Sequence, residues 1–170
     1  PYLQVVVTVF MILFGVNFSA YFLLLRRKVK QAFSMEEVRW YLLIILASIA
    51  LITLSVRDMY GSVGEAARHA AFQVGSIITT TGYASTDFNL WPEVPRTILV
   101  LLMFIGACAG STGGGIKVSR LVILVKTIKK ELHTFLHPRS LKKLKMDGHT
   151  LEHETVRATN VFLIPYVLIF

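Results

Sequence analysis

Long apolar runs without charge alternate with charged segments along the chain. Three such runs cover residues 5–25, 40–56 and 97–116, and a fourth occupies residues 158–170. A helix that crosses a membrane needs about 20 mostly apolar residues. The first and third runs have that length, and the second reaches it with its flanks, at 41–60. The pattern predicts an all-α membrane protein. Since both ends of the chain lie in apolar runs and the first residue is not Met, we expect an internal fragment of a longer protein.

Basic residues are distributed unevenly between the apolar runs. Five Lys and Arg lie in residues 26–39 and ten in residues 117–157, whereas the segment 57–96 has three. Lys and Arg accumulate on the cytoplasmic side of membrane proteins. The distribution therefore predicts that 26–39 and 117–157 are cytoplasmic and that 57–96 is extracytoplasmic. The net charge of +8 is explained by topology and by anionic lipid headgroups, without nucleic acid as a partner.

The helices that follow from this pattern run in alternating directions. We expect one helix over residues 1–25, with Asn17 facing other helices, and a returning helix over 35–59. Residues 65–78 are rich in helix formers and become more apolar toward their end, which predicts a short helix that enters the membrane from outside. Glu65 and Arg68 are close enough in that helix to pair.

A glycine-rich string interrupts the third apolar run. A helix begins near Pro95 and meets the sequence GACAGSTGGGIK, which we call the Gly-rich segment (residues 106–117). Each of its three consecutive glycines costs a helix about 1 kcal/mol relative to Ala, so we expect a break, with helix resuming at Ile116 and continuing to Leu132. Irregular backbone at membrane depth is tolerated when it is buried in protein or lines a water-filled cavity. The break therefore indicates a pore or a gate.

The string that follows the short helix has the chemistry of an ion filter. A potassium ion in a narrow pore loses hydration water, which rings of backbone carbonyls must replace. In Thr79-Thr80-Thr81-Gly82-Tyr83, the glycine allows the dihedral angles that aim successive carbonyls at one axis. The negative end of the preceding helix would favour a cation. The string read by itself also fits an ordinary turn.

Two motifs resemble known potassium transport proteins. Thr80 to Ala84, TTGYA, resembles the potassium-channel filter string TVGYG, with Thr for Val and Ala for the last Gly. The Gly-rich segment, together with GVNF at 15–18, resembles the Trk/Ktr-type potassium transporters. In that family one chain holds four helix–pore-helix–filter–helix repeats around a single pore, and a glycine loop interrupts the second helix of the third repeat as a gate.

This resemblance implies a division of the chain and a set of site residues. Residues 1–33 would end one repeat, 34–135 would form the next complete repeat, 136–154 a cytoplasmic linker, and 155–170 the start of a further repeat. The ion-binding filter would consist of Thr80, Thr81, Gly82 and Tyr83. The gating loop would consist of Gly110, Ser111, Thr112, Gly113, Gly114, Gly115 and Lys117.

The resemblance also implies partners. They are potassium as the transported ion, the lipid of the plasma membrane, the remaining repeats of the same chain, a cytosolic nucleotide-binding regulatory subunit and a second copy in a homodimer. No cofactor is implied. Both a passive channel and an ion-coupled symporter fit the residues.

The Gly-rich segment has two other interpretations, of which close helix packing stays open and a phosphate-binding loop is excluded. The spacing of Gly106, Gly110 and Gly114 also fits close packing between helices. A phosphate-binding loop requires Gly before Lys and Ser or Thr after it, whereas Ile116 and Val118 flank Lys117. Lys117 fits either a gating role or an interfacial position at the inner membrane surface.

The remaining chemistry is sparse. The single cysteine, Cys108, fits a small packing residue, and Asp87 fits either a charged pore mouth or a turn cap. Histidines four residues apart, at 133 and 137 and at 149 and 153, lack a third metal ligand in the sequence pattern. No nucleophile–base pair or cofactor motif supports an enzyme. A two-span tetrameric potassium channel and a non-conducting membrane scaffold are the alternative functions.

Overall fold

The computed structural model describes residues 1–137, 144–151 and 153–169, which are mostly helical. The helices are α1 (Tyr2–Phe14), α2 (Phe18–Leu25), α3 (Val29–Ser34), α4 (Glu36–Val56), α5 (Val63–Ile78), α6 (Glu93–Phe104), α7 (Val118–Leu136) and α8 (His153–Ile169), with 3-10 turns at Arg57–Met59 and Phe88–Leu90. A short antiparallel hairpin pairs β1 (Lys145–Met146) with β2 (His149–Thr150). The chain divides into two compact units, Pro1–Val118 and Ser119–Phe170.

The predicted returning helix is the longest apolar element of the first unit. With its terminal 3-10 turn it spans Glu36–Met59, and it is long and apolar enough to cross a membrane. One stripe of α4 is fully buried, consisting of Tyr41, Ile45, Ile52 and Val56. Four leucines of the same helix are exposed instead: Leu43, Leu46, Leu51 and Leu54. An exposed face of that kind is suited to lipid or to further membrane helices.

The prediction of one continuous helix over residues 1–25 is wrong. The chain bends by 94° between α1 and α2. At the bend the Asn17 side chain caps α2 by accepting the backbone N–H two residues further on, at 2.8 Å. The Gly15 carbonyl accepts the Cys108 N–H at 3.0 Å, and the Phe18 N–H donates to the Gly110 carbonyl at 3.2 Å. These backbone groups therefore bond to the Gly-rich segment instead of continuing a helix.

The short helix predicted over residues 65–78 is present as α5. It lies at the centre of the first unit. The Ser62 side chain caps α5 by accepting the Glu65 N–H at 3.2 Å. Glu65 and Arg68 form the expected ion pair at 3.5 Å. Helix α5 packs against α1, α4 and α6, so the residues that follow Ile78 start from a well-supported position.

The third apolar run does not form a spanning helix. Helix α6 has 12 residues, about 18 Å of helix, which is too short to cross a membrane alone. The chain then breaks as predicted and resumes as α7 at Val118, two residues later than expected. The Gly106 N–H donates to the Ile116 carbonyl at 2.8 Å, and the Ile116 N–H donates to the Phe104 carbonyl at 3.3 Å. The Gly-rich segment therefore leaves and returns to the same place as a closed loop.

The second unit consists of most of α7, the hairpin and α8. Asp147 and Gly148 have φ angles of 51° and 81°, which is the conformation of a two-residue hairpin turn. Helix α8 begins at His153, two residues before the segment 155–170 that is expected to begin a further repeat. Pro138 and the side chains of His149 and His153 are not among the parts of the chain that the structure describes.

Candidate functional site

The residues after α5 form what we call the TTTGYA segment (residues 79–84). Residues 79 and 80 make a turn, and residues 81–84 continue without regular secondary structure. Thr80 and Gly82 both lie in the left-handed region, with φ angles of 57° and 78°. Residues 80–84 are exposed. The negative end of the α5 dipole lies at the start of this segment.

Buried polar side chains of α5 fix the path of the TTTGYA segment. The Thr81 N–H donates to the Ser76 carbonyl at 2.9 Å, and the Ser76 hydroxyl donates to the Tyr83 carbonyl at 2.6 Å. Further along, the Gln73 amide donates to the Thr86 carbonyl at 2.7 Å. Both Ser76 and Gln73 are 1% exposed. Buried groups of the helix thus hold the segment at Thr81 and Tyr83, and hold the chain just beyond it at Thr86.

Three consecutive carbonyls of this segment remain available. Within the described ranges, no hydrogen bond reaches the carbonyl oxygens of Thr80, Thr81 and Gly82. Backbone acceptors at membrane depth cost several kcal/mol when nothing satisfies them. Water or a cation can satisfy them, and a dehydrated potassium ion needs such oxygens.

An outer network of side chains fixes the residues that leave the segment, and sequence reasoning did not find it. The His69 ring lies 3.2 Å from the Ser85 hydroxyl and 3.3 Å from the Gln4 amide nitrogen. The same ring stacks on the Tyr60 ring, with 5.0 Å between the ring centroids. The Trp91 ring N–H in turn donates to the Tyr60 hydroxyl at 3.0 Å. These residues come from distant parts of the chain, so no local pattern marks them.

The Gly-rich segment contacts the TTTGYA segment directly. The Gly114 N–H donates to the Thr80 hydroxyl oxygen at 2.8 Å, and that hydroxyl donates to the Thr79 carbonyl at 2.7 Å. A Cβ atom added at Gly113 would lie 3.5 Å from the Thr79 carbonyl oxygen. The Lys117 ammonium group donates to the Gly113 carbonyl. The structure therefore brings together Thr80 and Gly114, one from each predicted group of site residues.

Close backbone approaches explain the glycines of this loop. Gly110 and Gly115 have φ angles of 65° and 71°. A Cβ atom at Gly106 would lie 1.9 Å from the Gly114 carbonyl oxygen, and one at Gly113 would lie 2.7 Å from the Ala107 Cβ. The backbone packs against itself in a non-helical loop, so packing between regular helices does not account for these glycines.

Ser111 and Thr112 also bond within or beside the loop. The Ser111 hydroxyl donates to the Cys108 carbonyl at 2.5 Å, and the Thr112 hydroxyl is 3.4 Å from the Phe14 carbonyl oxygen. Cys108 is fully buried, as expected for a packing residue. The loop is thus tied both to itself and to the end of α1.

Glu37 is a buried site residue that sequence reasoning missed. Glu37 occupies the first turn of α4, where a carboxylate complements the helix dipole. Yet its exposed fraction is 3%. One carboxylate oxygen accepts the Ala109 N–H at 2.5 Å and the other accepts the Asn17 amide at 3.2 Å, which confirms that Asn17 faces another helix. A signal was present, because Glu37, Tyr41 and Ile45 are spaced four apart on the buried stripe.

Asp87 and the pair of His133 and His137 were the remaining candidates for a pore-mouth charge and for metal ligands. The Asp87 carboxylate accepts the Asn89 N–H at 2.9 Å and caps a 3-10 turn. Its contacts are therefore those of a turn cap. The His133 and His137 rings lie 4.8 Å apart. Over the described residues, no group of three His, Cys, Asp or Glu side chains could hold a metal ion.

Comparison with protein families gives a match over the whole chain. The family model TrkH, described as cation transport protein, matches residues 1–170. The chain belongs to the TrkH family. This is the family type that the Gly-rich segment and GVNF resemble, and its members are membrane transporters and not enzymes.

Individual TrkH-family proteins are similar to this chain over a part of their length. The Trk system potassium uptake protein TrkH of Escherichia coli (strain K12) is 31% identical over 173 residues, which cover 100% of this chain and 36% of that protein. The Trk system potassium uptake protein TrkG of the same strain is 33% identical over 165 residues, covering 94% of this chain and 33% of that protein. The chain thus spans about a third of the length of these relatives.

A solved TrkH-family structure has the same fold. The crystal structure of the potassium transporter TrkH from Vibrio parahaemolyticus matches with a TM-score of 0.88 and 32% identity. The match covers 98% of this chain and 36% of the other. The mostly helical fold of an integral membrane transporter is therefore confirmed for this chain.

Proposed function

We propose that this chain provides one repeat of a potassium-conducting pore, with the TTTGYA segment as its strand of the selectivity filter. The observation that carries the proposal is the row of three available carbonyls at Thr80, Thr81 and Gly82. Tyr83 closes the outer end of the strand. Its carbonyl accepts the Ser76 hydroxyl and keeps a second lone pair for an ion.

The arrangement of elements supports a repeat of the pore-helix type. In this proposal residues 34–135 form the repeat, with α4 as the first helix, α5 as the pore helix and α6 and α7 as the interrupted second helix. Residues 1–33 end the preceding repeat and 155–170 begin the next, with 136–154 as the linker. The exposed face of residues 80–84 is where the other repeats would close the pore.

The Gly-rich segment is proposed as the gate of this pore. Residues 110–115 and Lys117 lie against Thr79 and Thr80 through the contacts of Gly113 and Gly114. A loop bonded to the end of a filter obstructs the path of an ion, and its movement would open that path. Potassium is the proposed ion because two similar proteins are named as potassium uptake proteins.

Topology and partners complete the proposal. We place the protein in the plasma membrane, with 26–39 and 117–157 cytoplasmic and 57–96 outside. The basic cytoplasmic segments would receive a nucleotide-binding regulatory subunit, and the whole protein would form a homodimer without a cofactor.

A two-span tetrameric channel is less suited to this chain, because α1 packs against α5 as an additional element. A non-conducting scaffold gives no use for the available carbonyls.

Potassium uptake by the full-length protein tests the proposal. In cells that lack their own uptake systems, at limiting potassium, we expect the full-length protein to restore uptake. Deletion of residues 110–115 should increase the rate several-fold because the obstruction is removed. Both proteins are compared at equal abundance in the membrane, with and without the regulatory subunit. If the intact protein restores no uptake in either condition, the proposed function is wrong.

A further inference from the structure

We propose that Glu37 is a positioning residue that holds the Gly-rich segment in its closed place, an inference that rests on the proposed gate. Glu37 belongs to α4 and not to the segment itself. Its carboxylate joins the segment to the bend between α1 and α2, since one oxygen accepts from Ala109 and the other from Asn17. A side chain in a rigid helix thereby controls a loop of the pore.

Three consecutive residues of the Gly-rich segment, 108–110, each form a hydrogen bond to another part of the first unit, and the bond to Glu37 is the middle one. The Cys108 N–H donates to the Gly15 carbonyl, and the Gly110 carbonyl accepts the Phe18 N–H. Between these two, the Ala109 N–H donates to Glu37. The outer two bonds join backbone to backbone. The central bond has an ionisable side chain as its acceptor, and bonds to charged acceptors are about twice as strong as neutral ones.

The chemistry of the site requires a carboxylate at this position. Ala109 and Asn17 each present an N–H donor, one to each oxygen of Glu37. A glutamine has one oxygen and one NH₂ group in the same shape. The NH₂ group of a Glu37→Gln variant would therefore face an N–H donor and leave it without an acceptor in a site that is 3% exposed.

Burial and position argue against a role in capping alone. A first-turn carboxylate that only complements the helix dipole can remain in solvent. The adjacent Glu36 lies in the same turn and is half-exposed. Glu37 is instead directed inward to the Gly-rich segment. Glu36→Gln therefore makes a matched control, because it removes the same charge from the same turn.

The test measures potassium flux through the purified full-length protein in liposomes without any regulatory subunit. We expect Glu37→Gln to increase this basal flux by about fivefold or more, with a melting temperature close to that of the unchanged protein. Glu37→Asp keeps the carboxylate and should restore much of the closed state. Glu36→Gln should leave the flux unchanged. A purely structural role would lower flux and melting temperature together, and that result would overturn the inference.

A second variant keeps the test decisive if Glu37→Gln does not fold. Asn17→Ser retains a side chain that can cap α2 but is too short to donate to Glu37. We expect it to increase basal flux less than the glutamine variant. The deletion of 110–115 is measured beside both. Increased flux in the deletion with unchanged flux in Asn17→Ser refutes the role of Glu37 alone, whereas unchanged flux in the deletion refutes the proposed gate.

Discussion

Potassium uptake by the full-length protein is expected to fall about tenfold or more when Gly82 is replaced by alanine. Gly82 has a φ angle of 78°, and an L-residue in the left-handed region costs roughly 1–2 kcal/mol. A Cβ atom added there meets no atom within 4 Å, so the effect does not come from a collision. The backbone relieves the strain by rotating, which turns the carbonyls of Thr81 and Gly82 away from the ion path.

A glycine elsewhere in the same region provides the control for this experiment. Gly64 lies in the first turn of α5, is exposed, and also has no atom within 4 Å of an added Cβ. Gly64→Ala should leave the rate unchanged. Initial rates are measured at limiting potassium with equal amounts of each protein in the membrane. A normal rate for Gly82→Ala would show that the TTTGYA segment does not line the ion path.

Replacement of Gly106 by alanine is expected to prevent stable folding. The added Cβ would lie 1.9 Å from the Gly114 carbonyl oxygen and about 3 Å from the carbonyl carbons of Gly114 and Gly115. These are backbone atoms that no rotamer change can move. The Gly-rich segment must open to admit the methyl group, which breaks the bond between Gly106 and Ile116. We expect a loss of about 4 kcal/mol or more in the free energy of unfolding.

The stability of the purified full-length protein measures this effect. Gly61→Ala is the control, since its added Cβ would lie at an ordinary contact distance of 3.7 Å from the Glu65 carboxylate. Size-exclusion profiles and thermal unfolding in detergent compare the two variants. We expect a single stable peak for Gly61→Ala and aggregated or absent protein for Gly106→Ala. Equal melting temperatures would mean that the Gly-rich segment does not close on Gly106.

The elements that sequence reasoning predicted correctly are those with local causes. Helix α4 follows from a long apolar run, and α5 follows from the helix formers of residues 65–78. The break in the third apolar run follows from consecutive glycines, because each one weakens a helix by itself. The resemblance of the Gly-rich segment and of GVNF to the Trk/Ktr-type transporters then pointed to the family.

The features that were missed depend on contacts between distant residues. Residues 1–25 are apolar enough for one helix, and nothing local announces that Gly15 and Phe18 bond to residues more than ninety positions away. Glu37 likewise has only the local pattern of a first-turn carboxylate, because its partner Ala109 lies 72 positions further along the chain. The contact of Gly114 with Thr80 joins two motifs that the sequence could name but not bring together.

The most direct test of the central claim is to locate the ion. The full-length protein is crystallised with rubidium or thallium in place of potassium, and anomalous scattering marks the position of the heavier ion. We expect density on the pore axis within coordination distance of the carbonyl oxygens of Thr80, Thr81 and Gly82, with Tyr83 at the outer end. Ordered ions found elsewhere in the protein, with none beside these oxygens, would contradict this expectation.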